Sequence, residues 1–552
     1  MRLHDQLGLR LQPLHLQELQ LLTPRSDAPS APCRGCPNLA IRDRALKSVL
    51  FLLCGSVAFA ALAAPAVGQQ MNMPGMSMPP ERAVTKKPGR KAGAKKKTAA
   101  KKGSVTAKPV STALPPSPRE GMRMPMPPPP ARQSPTNHAA MPMPGTTPAS
   151  GAGMPTGNVA MQNGHQMTMT GALGSYPMQR ESSGTAWQPD ASQHMGLMTI
   201  SGDWMLMAHG LLNLVYDHQS SPRGDDKAFA SGMLMGMASH PLGRGTAEFK
   251  AMLSPDPLMG SRGYPLLLAS GETANGRDRL IDRQHPHDLF MELSGSISQK
   301  IGPNSSVFVY AGLPGEPAFG PPAFMHRESI VDSPEAPISH HWLDSTHISF
   351  GVLTAGVVLD RVKLEVSRFN GREPDQHRWN IETGPLDSTA IRVSWNPTRS
   401  LALQGSWGHF VDPEQLEPGV DQKRLSASAL YAREIAPGWK LAGTLAWGRK
   451  SARGHNDDAY VGEASLKHAG WTAFGRGEMT ENRELLDTQS SGPAHRVGKV
   501  SLGAVRDFRI VEHLSFGAGG LLAVNFVPNA LVPLYGGQNP LGAMGFVRLK
   551  LY

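Results

Sequence analysis

The stretch Trp204-Met-Leu-Met-Ala-His-Gly-Leu-Leu-Asn-Leu-Val-Tyr216 decides the fold. Its even positions, Trp204, Leu206, Ala208, Gly210, Leu212, Leu214 and Tyr216, are apolar throughout and carry an aromatic at each end. Its odd positions include His209 and Asn213, and Asp217 continues them. Successive side chains of a strand point to opposite faces, so this is a strand with one apolar and one polar face. An apolar face bounded by aromatics is what a lipid-facing strand needs.

The pattern recurs along the chain. Leu401, Leu403 and Trp407 share a face, as do Trp439, Leu441, Leu445 and Trp447. Val362, Leu364 and Val366 alternate with Lys363, Glu365 and Ser367. Leu514, Phe516, Leu522, Val524 and Phe526 fall in one register, while Arg476, Glu478, Arg548 and Lys550 occupy polar faces. The spacing predicts sixteen strands, with fourteen the alternative count, near 204–217, 227–238, 246–254, 287–300, 305–313, 346–359, 361–370, 387–396, 400–410, 424–434, 439–450, 457–468, 470–480, 495–509, 511–526 and 540–552. Connections after even-numbered strands are short, such as Asp360-Arg361 and His468-Ala-Gly470. Those after odd-numbered strands are mostly longer. Short turns alternating with long loops mark outer-membrane barrels, with the short turns in the periplasm. The expected fold is an all-β, antiparallel transmembrane barrel over 201–552, with both termini periplasmic.

No segment beyond the N-terminal region approaches the ~20 apolar residues of a membrane helix, and mean hydropathy is −0.29. The formal net charge of +11 is concentrated: eleven basic residues and one acid lie between Glu81 and Lys108. The remainder is close to neutral, so nothing points to a nucleic-acid partner.

Residues 1–68 read as a start extension plus a secretory signal. Arg42, Arg44 and Lys47 precede the apolar run Ser48–Leu62, and Ala66 and Gly68 supply the small residues of a cleavage site. The residues ahead of it suggest that Met1 is a misassigned start. Cys33, Cys36 and Cys54 all fall in this part, so a cleaved protein has no cysteine. That suits an oxidising compartment.

Residues 69–200 are rich in Pro, Gly, Ser, Ala, Lys and Met and poor in aromatic and β-branched types. Such a segment cannot offset its ordering entropy by burial and is expected to be a disordered periplasmic tail. Within it stand Met71, Met73, Met76 and Met78, then Met122, Met124 and Met126, then Met141 and Met143, then Met161, His165, Met167 and Met169. No core explains these thioethers, and soft sulfur ligands suit Cu(I). The bland alternative is compositional drift. The run RKAGAKKKTAAKK suits lipopolysaccharide, a cell-wall polymer or simple solvation.

Histidines gather in the second and third long loops. One holds His285-Pro-His287-Asp288; the other holds His326 and His340-His341-Trp-Leu-Asp344-Ser-Thr-His347. Strands four and six lie two strand spacings apart, roughly 10 Å, so His287 and His347 are within reach of a shared site. Imidazole and carboxylate suit Cu(II), Zn(II) or Ni(II). The alternative is that these histidines only hydrogen-bond the loop folds. A third set, Met205, Met207 and His209 with Met233, Met235 and Met237, forms a soft ladder if both strands turn these faces inward, and lipid-facing surface if not.

With MxM and MxxM clusters joined to a barrel, the tail resembles the Met-rich N-termini of B-type copper-resistance outer-membrane proteins. The barrel is similar to a family of uncharacterised outer-membrane proteins in the motifs GDWMLMAHG (202–210), RQHPHDLFMELS (283–294), GLPGEPAFGPPAFMHR (312–327), SPEAPISHHWLDSTHI (333–348) and RFNGREPDQHRW (368–379). The resemblance implies an association with heavy-metal resistance and no established activity. The Lys/Ala run departs from the B-type pattern.

No GxSxG elbow, phosphate loop or HExxH motif occurs, so a non-enzymatic protein is expected. The first reading is an outer-membrane barrel handling metal, most simply copper, with outer-membrane lipid and lipopolysaccharide around it. Its further partners would be periplasmic metal-resistance proteins or cell-wall polymer. A copper ion is the one ligand it implies. The alternatives are a general porin and a structural envelope anchor.

Overall fold

The structure is a computed structural model that describes residues 160–162, 165–167, 169–193, 196–486 and 492–552. Sixteen long antiparallel strands close into a barrel. They are β1 (Trp204–Gln219), β2 (Asp226–Leu242), β3 (Gly245–Leu253), β4 (Phe290–Gly302), β5 (Ser305–Gly312), β6 (Val352–Leu359), β7 (Val362–Phe369), β8 (Ser388–Thr398), β9 (Leu401–Phe410), β10 (Gln422–Ala436), β11 (Trp439–Ala452), β12 (His455–His468), β13 (Trp471–Asn482), β14 (His495–Val511), β15 (Leu514–Phe526) and β16 (Leu541–Leu551). β16 closes the ring against β1, from Gly542 opposite Gln219 to Leu551 opposite Gly210. A short strand, Leu197–Ser201, pairs with the rest of β1. Among the described residues no helix is long and apolar enough to cross a membrane.

The two faces of the sheet follow the period-2 pattern. Leu214, Leu445 and Leu522 are 57%, 63% and 71% exposed on the outside. Trp204, Tyr216, Trp395, Trp407 and Trp471 share that surface. Apolar area on this scale is costly in water, at ~25 cal/mol per Å², and belongs against lipid. Inner positions carry Lys363, Glu365, Arg392, Arg476 and Arg548, all buried. Every connection after an even-numbered strand is a two-residue turn. Ala469 and Gly470 both have positive φ, +48° and +82°, the turn whose twist matches a hairpin.

The strand assignments hold, with differences at the edges of the long loops. The fourth strand begins at Phe290 rather than 287, and the sixth at Val352 rather than 346. Pro286 lacks the N–H a ladder requires, and His347 belongs to a 3-10 turn, Ser345–His347. Both histidines therefore stand in loop rather than on the barrel wall. Tyr552 lies just past β16, its N–H donating to the His513 carbonyl at 2.9 Å.

The lumen is filled from both ends. From the short-turn end comes a segment that the sequence reading assigned to the disordered tail. Residues 169–193 are instead packed against the inner wall. The Arg180 guanidinium lies 5.0 Å and 4.8 Å from the rings of Tyr176 and Trp187 and pairs with Asp190 at 2.7 Å. Leu173, Tyr176 and Trp187 cluster with Phe308 of β5 and Val358 of β6. Thr185 accepts from Lys363 through its carbonyl and from Arg392 through its hydroxyl. The two aromatics and the buried ion pair supply what the low-complexity residues before them lack, so ordering is offset here. The clusters from Met71 to Met126 lie outside the described residues. Met167 ends the short strand His165–Met167, which pairs with Ala160–Gln162. Met169 is half-buried and lines the mouth at the short-turn end.

From the other end, the loops after β3 and β5 fold inward. The first holds a 3-10 turn, Asp256–Met259, and a hairpin, Tyr264–Thr273 with Arg279–Gln284, that the period-2 reading did not separate. Leu266, Leu267 and Leu268 of that hairpin are completely buried. The second winds from Leu313 to Gly351 through two 3-10 turns and a one-turn helix, His340–Leu343.

Candidate metal centre

The two inward loops meet through their histidines. His287, His340 and His347 each offer a ring nitrogen, and the three nitrogens lie within 4.8 Å of one another. All three residues are buried. Bonds of 2.0–2.1 Å at a tetrahedral angle set ligand nitrogens about 3.3 Å apart, so modest ring rotations bring this group onto one ion.

Each imidazole is held from behind. His287 Nδ1 lies 2.8 Å from Asp256 Oδ2. His340 Nδ1 lies 2.8 Å from Asp344 Oδ1, one helical turn further along the chain. His347 Nδ1 lies 2.7 Å from the Asp344 carbonyl oxygen. Carboxylate and carbonyl oxygens only accept, so each Nδ1 carries the proton and each Nε2 keeps its lone pair. None of the three Nε2 atoms has a hydrogen-bond partner among the described residues. A carboxylate or carbonyl fixing Nδ1 while Nε2 stays open is the support that metal-ligating histidines use. Asp344 orients two of the imidazoles at once, one by its side chain and one by its backbone.

The surroundings favour neutral rings at His340 and His347 and keep the group buried. Burial lowers the pKa of His340 and, more strongly, that of His347, where neighbouring imidazoles add to the effect. A neutral ring is the ligating form. Burial opposes ionisation of Asp344, but the Arg327 guanidinium outweighs it and holds that carboxyl below its usual range. Phe324 walls the group, its ring 6.1 Å from that of His287 and 5.6 Å from that of His340.

The other predicted residues take flanking places. His285 lies 5.9 Å ring to ring from His340, with Nε2 3.2 Å from Glu272 Oε1; burial holds its pKa well down, with Arg378 adding. His341 turns the other way, Nδ1 3.0 Å from Glu373 Oε1. Burial opposes its charge, yet Glu373 prevails and its pKa is raised. Asp288 stands apart from the triad, 3.2 Å from Arg378 Nη1, and burial pushes its carboxyl up to about 6. Sequence reading missed Asp256, which sits in the irregular run Ser254-Pro-Asp256-Pro and has no periodicity to reveal it.

No protein-family model matches the chain, and a search of curated proteins finds no match. Among solved structures, the barrel is similar to Salmonella typhi OmpF in complex with daunomycin, at 11% identity, covering 64% of this chain and 100% of that one, TM-score 0.39. It is also similar to OmpT, an outer-membrane protein of Vibrio cholerae, at 8% identity, 64% and 99% coverage, TM-score 0.37. Pseudomonas aeruginosa OpdQ follows at 10% identity, 64% and 99% coverage, TM-score 0.32. Likenesses this distant say nothing of activity; the barrel stands on its own strand pairing.

Proposed function

We propose that this protein is a plugged outer-membrane barrel that handles a transition metal, with its short turns in the periplasm and a trihistidine centre in the inward-folded long loops. The observation that carries this reading is the set of three buried Nε2 atoms at His287, His340 and His347, each without a partner and each fixed through Nδ1. Other buried polar atoms of the lumen also lack a partner among the described residues, but these belong to three imidazoles with ring nitrogens within 4.8 Å of one another, and their convergence asks for a common cause. An ion supplies one. Imidazole suits Cu(II), Zn(II) and Ni(II). Copper is the metal that also suits the thioethers of the N-terminal segment, which makes copper handling the specific form of the proposal.

Titration of the chelator-stripped full chain in detergent with Zn(II), Cu(II) and Ni(II) tests it. The wild type is expected to bind one equivalent more than the variant His287→Ala/His340→Ala. Equal stoichiometry and affinity in both would sink the trihistidine centre.

A second reading, a solute channel, draws on the mouth of about 1290 Å³ at the short-turn end, lined by Gly438, Gly470 and Glu512 among others. Bilayer conductance separates the two. The filled lumen predicts a closed barrel, and steady ohmic conductance supports the channel.

A further inference from the structure

The quadrant of the lumen formed by β1, β2 and β3 is built of thioethers. The strand register sets Met207 opposite Met237 and His209 opposite Met235, and Met235 opposite Met252. Met207, Met233, Met235 and Met252 are all buried on the inner face. The loop after β5 lays its 3-10 turn Phe324–His326 across them. The rings of His209 and His326 come within 6.3 Å, edge to face. Between loop and wall is a cavity of about 90 Å³, lined by Met207, Met235, Met237, Met325, His209 and His326 among others.

Two features separate this cavity from ordinary packing. Leucine would fill the same volume with better-defined rotamers, yet five methionines converge here, and thioether sulfur is a soft ligand. In addition, His326 Nε2 is buried without a hydrogen-bond partner among the described residues. An imidazole nitrogen left dry among thioethers is costly unless something occupies the space beside it.

We propose that this cavity is a soft-metal site, taking a monovalent thiophilic ion of the Cu(I) class on thioethers from Met207, Met235, Met237 and Met325 and the imidazole of His326. The ligands themselves are neutral, and the charged groups that border the cavity divide evenly, Glu181 and Glu328 against Lys250 and Lys467. A monovalent cation pays a smaller desolvation penalty there than a divalent one. The Lys250 ammonium is paired with Glu248 at 3.1 Å. The site has a way in. Gln193, Glu328 and Lys467 line both this cavity and the large mouth at the short-turn end. It is distinct from the trihistidine centre, and the two lie on opposite sides of one short turn: Phe324 packs on the imidazole triad, and Met325 and His326 border the soft cavity.

The test uses Ag(I), a redox-inert probe of the same softness, on the detergent-solubilised full chain. Three variants are compared with the wild type: Met235→Leu/Met237→Leu, His326→Gln and Met252→Leu. Leu for Met conserves volume, so the barrel should survive, and the heat-dependent gel shift of a folded barrel checks each preparation. The first two variants are expected to lose about one equivalent of tightly held Ag(I), or about 100-fold in its affinity, as loss of a soft ligand implies. Met252→Leu alters the same thioether cluster behind the cavity and is expected to retain that equivalent. Retention in both ligand variants overturns the proposal. So does an equal loss in Met252→Leu, which would make the effect one of packing. Should the double variant fail to fold, His326→Gln, altered only in a loop, decides between the two outcomes.

Discussion

Arg327 and His340 share a carboxylate, and the lumen treats them in opposite ways. Arg327 is fully buried and its donors are spoken for. Nε and Nη2 reach Glu463 at 2.9 Å and 2.7 Å, and Nη1 reaches the Pro322 carbonyl at 3.0 Å and Asp344. His340 takes the other oxygen of Asp344 through Nδ1 and leaves Nε2 with no partner. The same contrast extends outward. On the far wall Arg548 pairs with Asp507 at 2.6 Å and Asp332 at 2.9 Å, whereas His287 and His347 repeat the half-satisfied pattern of His340. Other buried groups, Arg424 Nη2 and Arg476 Nη1 among them, also lack a hydrogen-bond partner among the described residues, but at His287, His340 and His347 three residues offer ring nitrogens within 4.8 Å of one another. Under the proposed function, a metal ion closes the open nitrogens.

The largest effect should come from the paired side. Arg327→Met leaves Glu463 and Asp344 buried without their cation, and such a loss costs about 3–5 kcal/mol. Thermal unfolding followed by circular dichroism should show a large drop in Tm, or no folded barrel at all. A shift worth less than about 1 kcal/mol would mean that the network tolerates water and that the contrast with the histidines is false.

The unpaired side should respond in function rather than in stability. His340→Ala is expected to reduce affinity for the bound divalent ion by at least about 100-fold, as removal of one of three ligands implies. It should lower the Tm of the metal-free barrel far less than Arg327→Met does, because it gives up one neutral hydrogen bond to Asp344 and leaves the Arg327–Asp344 ion pair in place. If the metal-free Tm falls as far as in the Arg327 variant, the histidines are scaffold and the centre is lost as an explanation. Asp256→Asn touches the support instead. It keeps an acceptor for His287 Nδ1 but removes the charge, so affinity should fall by about 10- to 100-fold. An unchanged isotherm would show that His287 needs no support from behind.

Sequence carried the barrel and part of the site, for separable reasons. Strand positions were legible because lipid outside and packed polar groups inside impose a strict alternation, as in Val362–Ser367, and because turns such as Ala469-Gly470 need particular residues. Strand spacing put His287 and His347 within reach of one another, but their approach to 5.1 Å ring to ring comes from both loops folding inward. Other details depended on local backbone. His340 and His341 are adjacent, and one residue along a helical turn swings the side chain about 100°. One therefore joins the triad and the other faces Glu373. Asp256 and the burial of residues 169–193 were illegible, because both depend on contacts across the lumen that no local pattern encodes. The inward turn of Met233 and Met235 was left undecided by sequence, since a methionine face suits lipid and lumen alike.

The smallest effect tests whether the contrast needs its apolar wall. Phe324 touches neither a paired guanidinium nor a ligand nitrogen; it covers the rings of His287 and His340. Phe324→Leu keeps an apolar side chain but gives up the flat ring, and aromatic contacts of this kind are worth about 0.5–1.5 kcal/mol. Affinity for the divalent ion should therefore fall only a few-fold, with the metal-free Tm moving by a degree or two. The loss should appear in the dissociation rate, because a thinner wall admits water to the metal–nitrogen bonds without altering how Asp256 and Asp344 hold the rings. Stopped-flow chelator competition reads that rate directly. A loss as large as that in His340→Ala would mean that dryness, rather than the three nitrogens, is what the site is built to provide.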